Sequence, residues 1–380
     1  MIRAAASPPV LEPSATARPQ THRDHGCVRR PGGEALRIEG LYIAGTGLDL
    51  PAPMDIAQAQ EAGLCDERTA RRMRMRSVCV SVDSGPEMAA RAARRAIDRS
   101  GAAPQDISLV LHACTYFQGH DLWAPASYVQ QVAVGNHCLS SEVRQLSNGG
   151  MAALELGAAY LEAGRGRKTV LITTGDRFCL PGFDRWNTDP GTVCGDGGTA
   201  MVLSSEAGFA GLRSLVTISD PGLESMGRGD DPFGEVPLGI RSPISIDKHR
   251  AQMLRDSGVS TVIDRIRSGQ QQAFRQALSE AAVRAEDVDW FVLPHLGHPK
   301  MDFQFFRPLG IDPARTTWSW GSGVGHLGAG DQIAGLTHLA ETGALAPGQT
   351  CVLVSAGAGF AWSVAVLDIL HEPMSPGGTR

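Results

Sequence analysis

Hydrophobic and polar positions follow two periods along this chain, and together they predict strands interleaved with helices. Short apolar or alternating runs predict strands at 36–43, 107–111, 169–173, 200–204, 290–293, 351–355 and 361–367. A helical period predicts helices at 86–100, 126–134, 150–163, 261–282 and 329–341. Strands that alternate with helices of this length predict an α/β protein in which helices cover both faces of parallel or mixed sheets.

The order of these elements predicts two similar halves, 36–210 and 211–371. Residues 1–35 contain five prolines and no apolar period, so a disordered leader is expected there. Residues 372–380 are expected to be a short tail. The stretch 222–243 is rich in glycine, proline and aspartate, which is typical of a surface loop between the halves.

Composition narrows the function classes. The 380 residues are 42% hydrophobic with a net charge of −5, which indicates a soluble globular protein. The mild acidity lacks the basic face that nucleic acid requires. No run of 18 apolar residues is present, so no membrane span is expected. The eight cysteines form no C-x-x-C pair, so we expect no metal site and mostly buried, reduced thiols in a cytoplasmic protein.

Ser147 lies where a predicted strand gives way to a helix. In the segment 142–151 it is followed by Asn148 and two glycines, which allow a sharp turn that exposes the hydroxyl. The helix N-terminus would offer N–H groups to an oxyanion, as at a nucleophile elbow, although G-x-S-x-G is absent. A serine at this point also fits the simpler role of a helix N-cap.

Three further segments carry candidate chemistry. His295 ends a predicted strand, and the carboxyl ends of strands are where α/β sites lie. His326 and Asp331 lie in a glycine-rich segment, 320–331, that opens a helix. Residues 356–360 form a glycine turn between two strands. Taken singly, a structural histidine or a structural or phosphate-binding glycine loop explains each segment as well.

The order and spacing of these segments resemble the ketoacyl synthase III branch of the thiolase superfamily. The family's elbow cysteine corresponds to Ser147, and its Pro-His-Gln-Ala-Asn corresponds to Pro294–His298. Its Gly-Asp-Gly-Ala-Gly-Ala hairpin resembles Gly195–Ala200, and its Gly-Gly-Gly-Phe-Thr-Trp resembles Gly357–Trp362. The likeness spans 36–370. It implies a thiolase fold with five αβαβα layers, a homodimer, and Trp123 as an aromatic gatekeeper that reaches across the dimer.

Two departures from the family pattern change the expected chemistry. Condensing members use Cys, His and Asn, and the last two stabilise an enolate during malonyl decarboxylation. Here the Asn-bearing loop has become Gly325–Asp331, and an anionic aspartate cannot donate a hydrogen bond to an enolate. Asp331 is suited instead to orient His295 as the base for Ser147. His326 aligns best with the family's Asn and is an auxiliary candidate.

The resemblance therefore implies an acyltransferase of secondary-metabolite biosynthesis, polyketide-related and typical of antibiotic pathways. An acyl thioester on phosphopantetheine, from an acyl carrier protein, a polyketide synthase carrier domain or coenzyme A, would acylate Ser147. The acyl group would then pass to the hydroxyl or amine of a small-molecule acceptor. The backbone N–H groups of Ser147 and Ala358 would hold the oxyanion, and no bound cofactor or metal is expected.

Two alternatives stay open. One is a starter-unit ketoacyl synthase III that condenses with malonyl carrier protein, and the other is an inactive partner subunit. The densest basic cluster is a candidate carrier contact, although a solvated helix face explains such a run equally well. It comprises Arg68, Arg71, Arg72, Arg74 and Arg76.

Overall fold

Eleven strands make up the sheets of the computed structural model, which describes residues 38–164 and 166–373. Nine form one mixed sheet in the order β5-β4-β6-β7-β1-β8-β11-β10-β9, and β2 pairs with β3. The strands are β1 Tyr42–Asp49, β2 Pro53–Asp55, β3 Ser77–Cys79, β4 Ile107–Ala113, β5 Leu139–Val143, β6 Thr169–Asp176, β7 Gly197–Ser204, β8 Ala210–Ser219, β9 Trp290–Val292, β10 Thr350–Gly357 and β11 Ala361–Ile369.

Eleven α-helices accompany these strands within the described ranges, joined in places by short 3₁₀ and π turns. They are α1 Ile56–Glu61, α2 Glu67–Met73, α3 Gly85–Ser100, α4 Pro125–Val129, α5 Gly149–Glu162, α6 Ile246–Ser257, α7 Val259–Ala281, α8 His298–Met301, α9 Arg307–Leu309, α10 Trp318–Gly321 and α11 Asp331–Glu341. In the described part of the chain, no helix has the length and apolar character needed to cross a membrane.

Helices and strands stack in five layers. The alanine-rich face of α3 packs on the outer face of the N-terminal strands. Helices α5 and α11 lie in the middle, where Leu154 and Leu336 share one core with strands of both halves. On the far side, α7 packs through Phe274 against β9, β10 and β11. This arrangement confirms the predicted five-layered α/β thiolase fold.

β1 and β8 pair through two residues of each strand, which joins β5, β4, β6 and β7 to β11, β10 and β9 in one sheet. β1 itself lies later in the chain than expected, because the predicted strand 36–43 overlaps it only at its start. Gly47 lies in the buried strand β1, at a point where the backbone of α3 comes very close. A Cβ at Gly47 would lie 2.1 Å from the carbonyl oxygen of Ala92, so its absence lets α3 approach closely.

Several expectations meet the structure only in part. The leader 1–35 and most of the tail lie outside the described residues, and the division into halves at residue 210 stays a prediction. The expected loop 222–243 is irregular except for a 3₁₀ turn, Pro221–Met226. The seven cysteines in the described ranges are unpaired, and five of them are buried. The pattern gave no signal for β8 or α6.

Candidate active site

Ser147 lies on a sharp turn between a strand and a helix. β5 ends at Val143, a 3₁₀ turn spans Leu146–Asn148, and α5 begins at Gly149. Leu146 adopts a left-handed φ of 47°, which is uncommon for a residue with a side chain and marks a tightly constrained turn. The turn exposes Ser147 to a cavity of about 510 Å³.

A close backbone approach brings a second segment to this turn. A Cβ at Gly150 would lie 2.5 Å from the carbonyl oxygen of Ala329, so only glycine fits there. Ala329 belongs to the turn Gly328–Gly330 that leads into α11. The glycines after Ser147 therefore serve to seat the loop that carries His326 and Asp331 beside the serine.

Three side chains form a continuous hydrogen-bonded chain at the cavity. The Ser147 hydroxyl donates to Nε2 of His326 at 2.8 Å. Nδ1 of His326 donates to Oδ2 of Asp331 at 2.6 Å. This is the tautomer in which a histidine can take a proton from serine while a carboxylate holds the ring. The sequence predicts His295 as the base for Ser147, but in the structure His326 makes this contact.

Asp331 holds both histidines. Its Oδ2 also accepts from the backbone N–H of His295, and its Oδ1 accepts from the N–H of Leu327, each at 2.8 Å. Burial acts to raise the pKa of Asp331, yet the charges of His295 and His326 and the hydrogen bonds from the His326 ring and the His295 backbone lower it to about 2. Asp331 is therefore an anion at neutral pH.

The two imidazoles differ in basicity. Burial lowers the pKa of His326, but the Asp331 carboxylate outweighs it, so the pKa lies above the ordinary 6.5. Burial dominates for His295 and lowers the pKa of that ring. His326 is thus the stronger base of the pair.

His295 is enclosed away from the cavity. Its Nδ1 donates to the carbonyl of Gly325 at 3.2 Å and lies 3.3 Å from Oδ1 of Asp331. Its ring packs against Gly321 and edge-on to Trp320. Within the described ranges its Nε2 has no hydrogen-bond partner. His295 does not line the cavity, whereas its neighbours Pro294 and Leu296 do.

The cavity is mostly apolar, with one aromatic and one charged wall. Tyr116, Phe178 and Phe183 form the aromatic wall, with ring centroids 4.9–6.1 Å apart. Asp189, Arg250 and Lys300 form the charged wall, which the sequence did not predict. The signal available was weak: Lys300 is one of only three lysines in the chain. Ala358, predicted for the oxyanion hole, lines the cavity together with Ser147.

The remaining candidates lie outside this cavity. Trp123 is 37% exposed on the surface, where it packs against His120 and Tyr128. The five arginines are exposed around α2, and none lines the cavity. Arg71 pairs with Glu67, and Arg76 donates to Oγ of Ser322 at 3.1 Å. Among the residues that the structure describes, no cluster of His, Cys, Asp or Glu is suited to hold a metal ion.

Comparison with known proteins shows what this chain is similar to. Residues 278–369 match the family described as 3-oxoacyl-[acyl-carrier-protein] synthase III C terminal. A β-ketoacyl-[acyl-carrier-protein] synthase III of Rhizorhabdus wittichii is 27% identical over 86% of this chain and 98% of its own length. The Neisseria meningitidis protein of the same description is 26% identical with the same coverage.

Solved structures extend the comparison. ChlB3, described as an acyltransferase, is 32% identical, with a TM-score of 0.83 over 88% of this chain and 98% of its own. OleA of Xanthomonas campestris, at 19% identity and a TM-score of 0.70 over 90% of this chain and 100% of its own, shares the fold. The chain belongs to the ketoacyl synthase III-like group of the thiolase superfamily, whose members transfer or condense acyl groups.

Proposed function

We propose that this protein is an acyltransferase that carries its acyl group on Ser147. The observation that supports this most is the chain of hydrogen bonds from Ser147 through His326 to Asp331. A serine hydroxyl is a weak nucleophile and needs an adjacent base, which is what this arrangement supplies. A cysteine would need it less, because a thiol ionises more readily.

The reaction runs in two steps. His326 accepts the Ser147 proton as Oγ attacks the carbonyl carbon of an acyl thioester. The C–S bond then breaks, and His326 returns the proton to the departing thiol. In the second step His326 takes a proton from a hydroxyl or amine of the acceptor, which attacks the acyl carbon of the acyl-serine. The bond from that carbon to Oγ then breaks, and His326 gives the proton to Oγ, which restores Ser147. Asp331 stabilises the imidazolium in both steps. The backbone N–H groups of Ser147 and Ala358 would donate hydrogen bonds to the oxyanion.

The proposed acyl donor is a thioester, and the proposed assembly is a homodimer. The thioester is carried on phosphopantetheine, from a carrier protein of secondary metabolism or from coenzyme A, and the arginines around α2 are candidate carrier contacts. The protein is a homodimer in which Trp123 lies near the partner. Support comes from β5, an edge strand whose Leu139 is 63% exposed, and from the exposed Leu122.

The competing function is decarboxylative condensation by a starter-unit ketoacyl synthase III. The names of the curated relatives favour it, and two imidazoles do lie beside Asp331. Two observations argue against condensation. His295 is not among the residues that line the cavity, and the ring of His326 is held by the anionic Asp331. The two residues therefore do not form a pair of hydrogen-bond donors for an enolate. Carbon dioxide release from malonyl carrier protein by the wild-type protein would favour the synthase.

A matched pair of histidine variants tests the proposed mechanism. His326→Gln is expected to slow acylation about 10³-fold or more, because it removes the base that contacts Ser147. His295→Gln is expected to cost no more than about tenfold, because this ring does not reach the cavity. Single-turnover acylation with an acyl thioester, after thermal melting confirms folding of both variants, measures the difference. The reverse order of effects would return the role of base to His295.

A further inference from the structure

A charged group in the cavity wall is not used by the proposed mechanism. Oδ1 of Asp189 accepts from Nη2 of Arg250 at 2.7 Å, and its Oδ2 accepts from Nζ of Lys300 at 2.8 Å. Lys300 also donates to Oγ1 of Thr192 at 2.7 Å. All four residues line the same cavity as Ser147. Asp189, Arg250 and Lys300 are the three residues of the charged wall.

The charged wall carries a net positive charge and has spare donors. Burial acts to raise the pKa of Asp189, but Lys300 and Arg250 lower it to about 2, so the group is one anion with two cations. Both oxygens of Asp189 are already occupied by these cations. Arg250 has five N–H donors, and within residues 38–164 and 166–373 one hydrogen bond to Asp189 uses its side chain. The unused hydrogen-bonding capacity is therefore that of a donor.

The charged wall is largely buried, so its net positive charge and unused N–H donors cost free energy unless a ligand pairs with them. The side chains of Asp189, Lys300 and Arg250 are 15%, 19% and 27% exposed, and Ile246, Leu254 and Leu296 line the cavity with them. Burial lowers the pKa of Lys300, as expected for a cation that has lost water. A negatively charged oxygen in the cavity would offset this cost through charge-assisted hydrogen bonds.

The charged wall also lies next to the catalytic histidine. The backbone N–H of His326 donates to the carbonyl of Val193, the residue after Thr192, at 2.9 Å. Cys194 then forms a β-bridge with His326. The segment that holds His326 is thus continuous with the one that accepts from Lys300. A ligand group at the charged wall would therefore share one cavity with the acyl-serine.

We propose that Arg250 and Lys300 form a subsite for an oxyanion of the substrate, a carboxylate or a phosphate, which anchors the substrate beside Ser147. This inference rests on the proposed function only in that the substrate occupies the Ser147 cavity. The position next to His326 favours a carboxylate on the acyl group or acceptor over a phosphate at the far end of a pantetheine arm. The charge of the oxyanion is the property that is recognised.

Binding to a protein that cannot be acylated tests the subsite without any turnover. In a Ser147→Ala background, calorimetry compares three probes: hexanoyl-pantetheine, hexanoyl-4′-phosphopantetheine, and the hexanedioic acid monothioester of pantetheine. At least one charged probe is expected to bind about tenfold or more tightly than the neutral probe, since charge-assisted hydrogen bonds are among the stronger ones. A preference for the dicarboxylic probe assigns the site to a substrate carboxylate, and a preference for the phosphorylated probe assigns it to the arm.

Variants on one helix supply the control. Arg250→Gln is expected to abolish the preference for the charged probe, and Arg250→Lys is expected to retain part of it. Arg255→Gln, an exposed position on the same helix α6, should leave the preference intact. The inference is overturned if charged and neutral probes bind within about twofold, if Arg250→Gln weakens all probes equally, or if no probe binds. None of these results depends on whether Ser147 forms an acyl intermediate.

Discussion

Asp331 is the residue on which the site's geometry depends. One carboxylate accepts from the His326 ring, the His295 backbone and the Leu327 backbone, so a short loop is fixed around a single buried charge. The same charge raises the pKa of His326. The residue that holds the loop together also raises the basicity of the proposed base, His326.

Asp331→Asn tests this dual role through the pH dependence of acylation. The reaction needs neutral His326, so in the wild-type protein the rate should fall as pH drops through a midpoint above 6.5. Without the anion, the pKa of His326 falls and the midpoint should move to lower pH. The amide also favours the wrong ring tautomer, so the plateau rate should fall about 10³- to 10⁴-fold.

Single-turnover rates from pH 5 to 9 measure both effects. An unchanged midpoint in the Asp331→Asn protein would show that His326 does not titrate in the reaction. Circular dichroism across the same range serves as the control for unfolding.

The roles of the two histidines could not be assigned from the sequence. The sequence does predict Ser147, His326 and Asp331 as site residues. It shows a serine shortly before two glycines, and a His-Asp pair in a glycine-rich loop. Which imidazole meets the serine depends on the packing of His295 against Gly321 and on the β-bridge between His326 and Cys194. Those contacts join residues far apart in the chain, and no local pattern encodes them.

At the scale of elements, the five predicted helices begin and end within about two residues of observed helical segments, whereas one predicted strand is misplaced. α3 begins at Gly85, directly after Ser84, which forms a capping box with Glu87. This start lies within one residue of the predicted one. β8 was not predicted. It mixes small, polar and apolar residues, and it is held as a strand by pairing with β1 and β11. The strand 36–43 was misplaced because the buried glycines of β1 weaken the apolar period.

Gly47→Ala tests the account of close packing between β1 and α3. The added methyl would meet the carbonyl of Ala92 at 2.1 Å, which neither backbone can easily relieve. Overpacking of this kind costs roughly 1–3 kcal/mol of unfolding free energy, and we expect a loss in or above this range. Urea denaturation measures it.

Gly211→Ala is the matched control for that variant. Gly211 is also a strand glycine, but its nearest neighbour would lie 3.6 Å from an added Cβ, an ordinary contact. We expect its stability to stay within about 0.5 kcal/mol of wild type or to rise slightly. Equal losses in both proteins would mean that the helix approach does not decide the residue at position 47.

At the scale of the whole molecule, the five layers bring two distant segments to one cavity. Ser147 and His326 lie 179 residues apart in the chain, so the site exists only when the fold brings these two segments together. The sequence predicted this architecture because the alternation of helices and strands and the resemblance to the ketoacyl synthase III group agree. The charged wall escaped prediction because Asp189, Arg250 and Lys300 meet only in three dimensions.

The proposed homodimer leads to a testable prediction at the scale of the whole molecule. We expect sedimentation equilibrium to give twice the monomer mass at micromolar concentration. Leu139→Lys on the exposed edge strand β5 should weaken the association, because a charge on an edge strand opposes strand pairing. Leu156→Lys, at an exposed position on α5, is the control and should leave the mass unchanged. A monomeric wild-type protein would contradict the proposed role of Trp123 at the partner.

The measurement that tests the central claim most directly is intact-protein mass spectrometry after exposure to a panel of acyl thioesters. The wild-type protein should gain the mass of one acyl group from at least one donor, and Ser147→Ala should gain none. Peptide mapping should place the group on Ser147. An adduct that persists in Ser147→Ala, or no adduct on the wild-type protein with any donor, would contradict an acyl-serine enzyme.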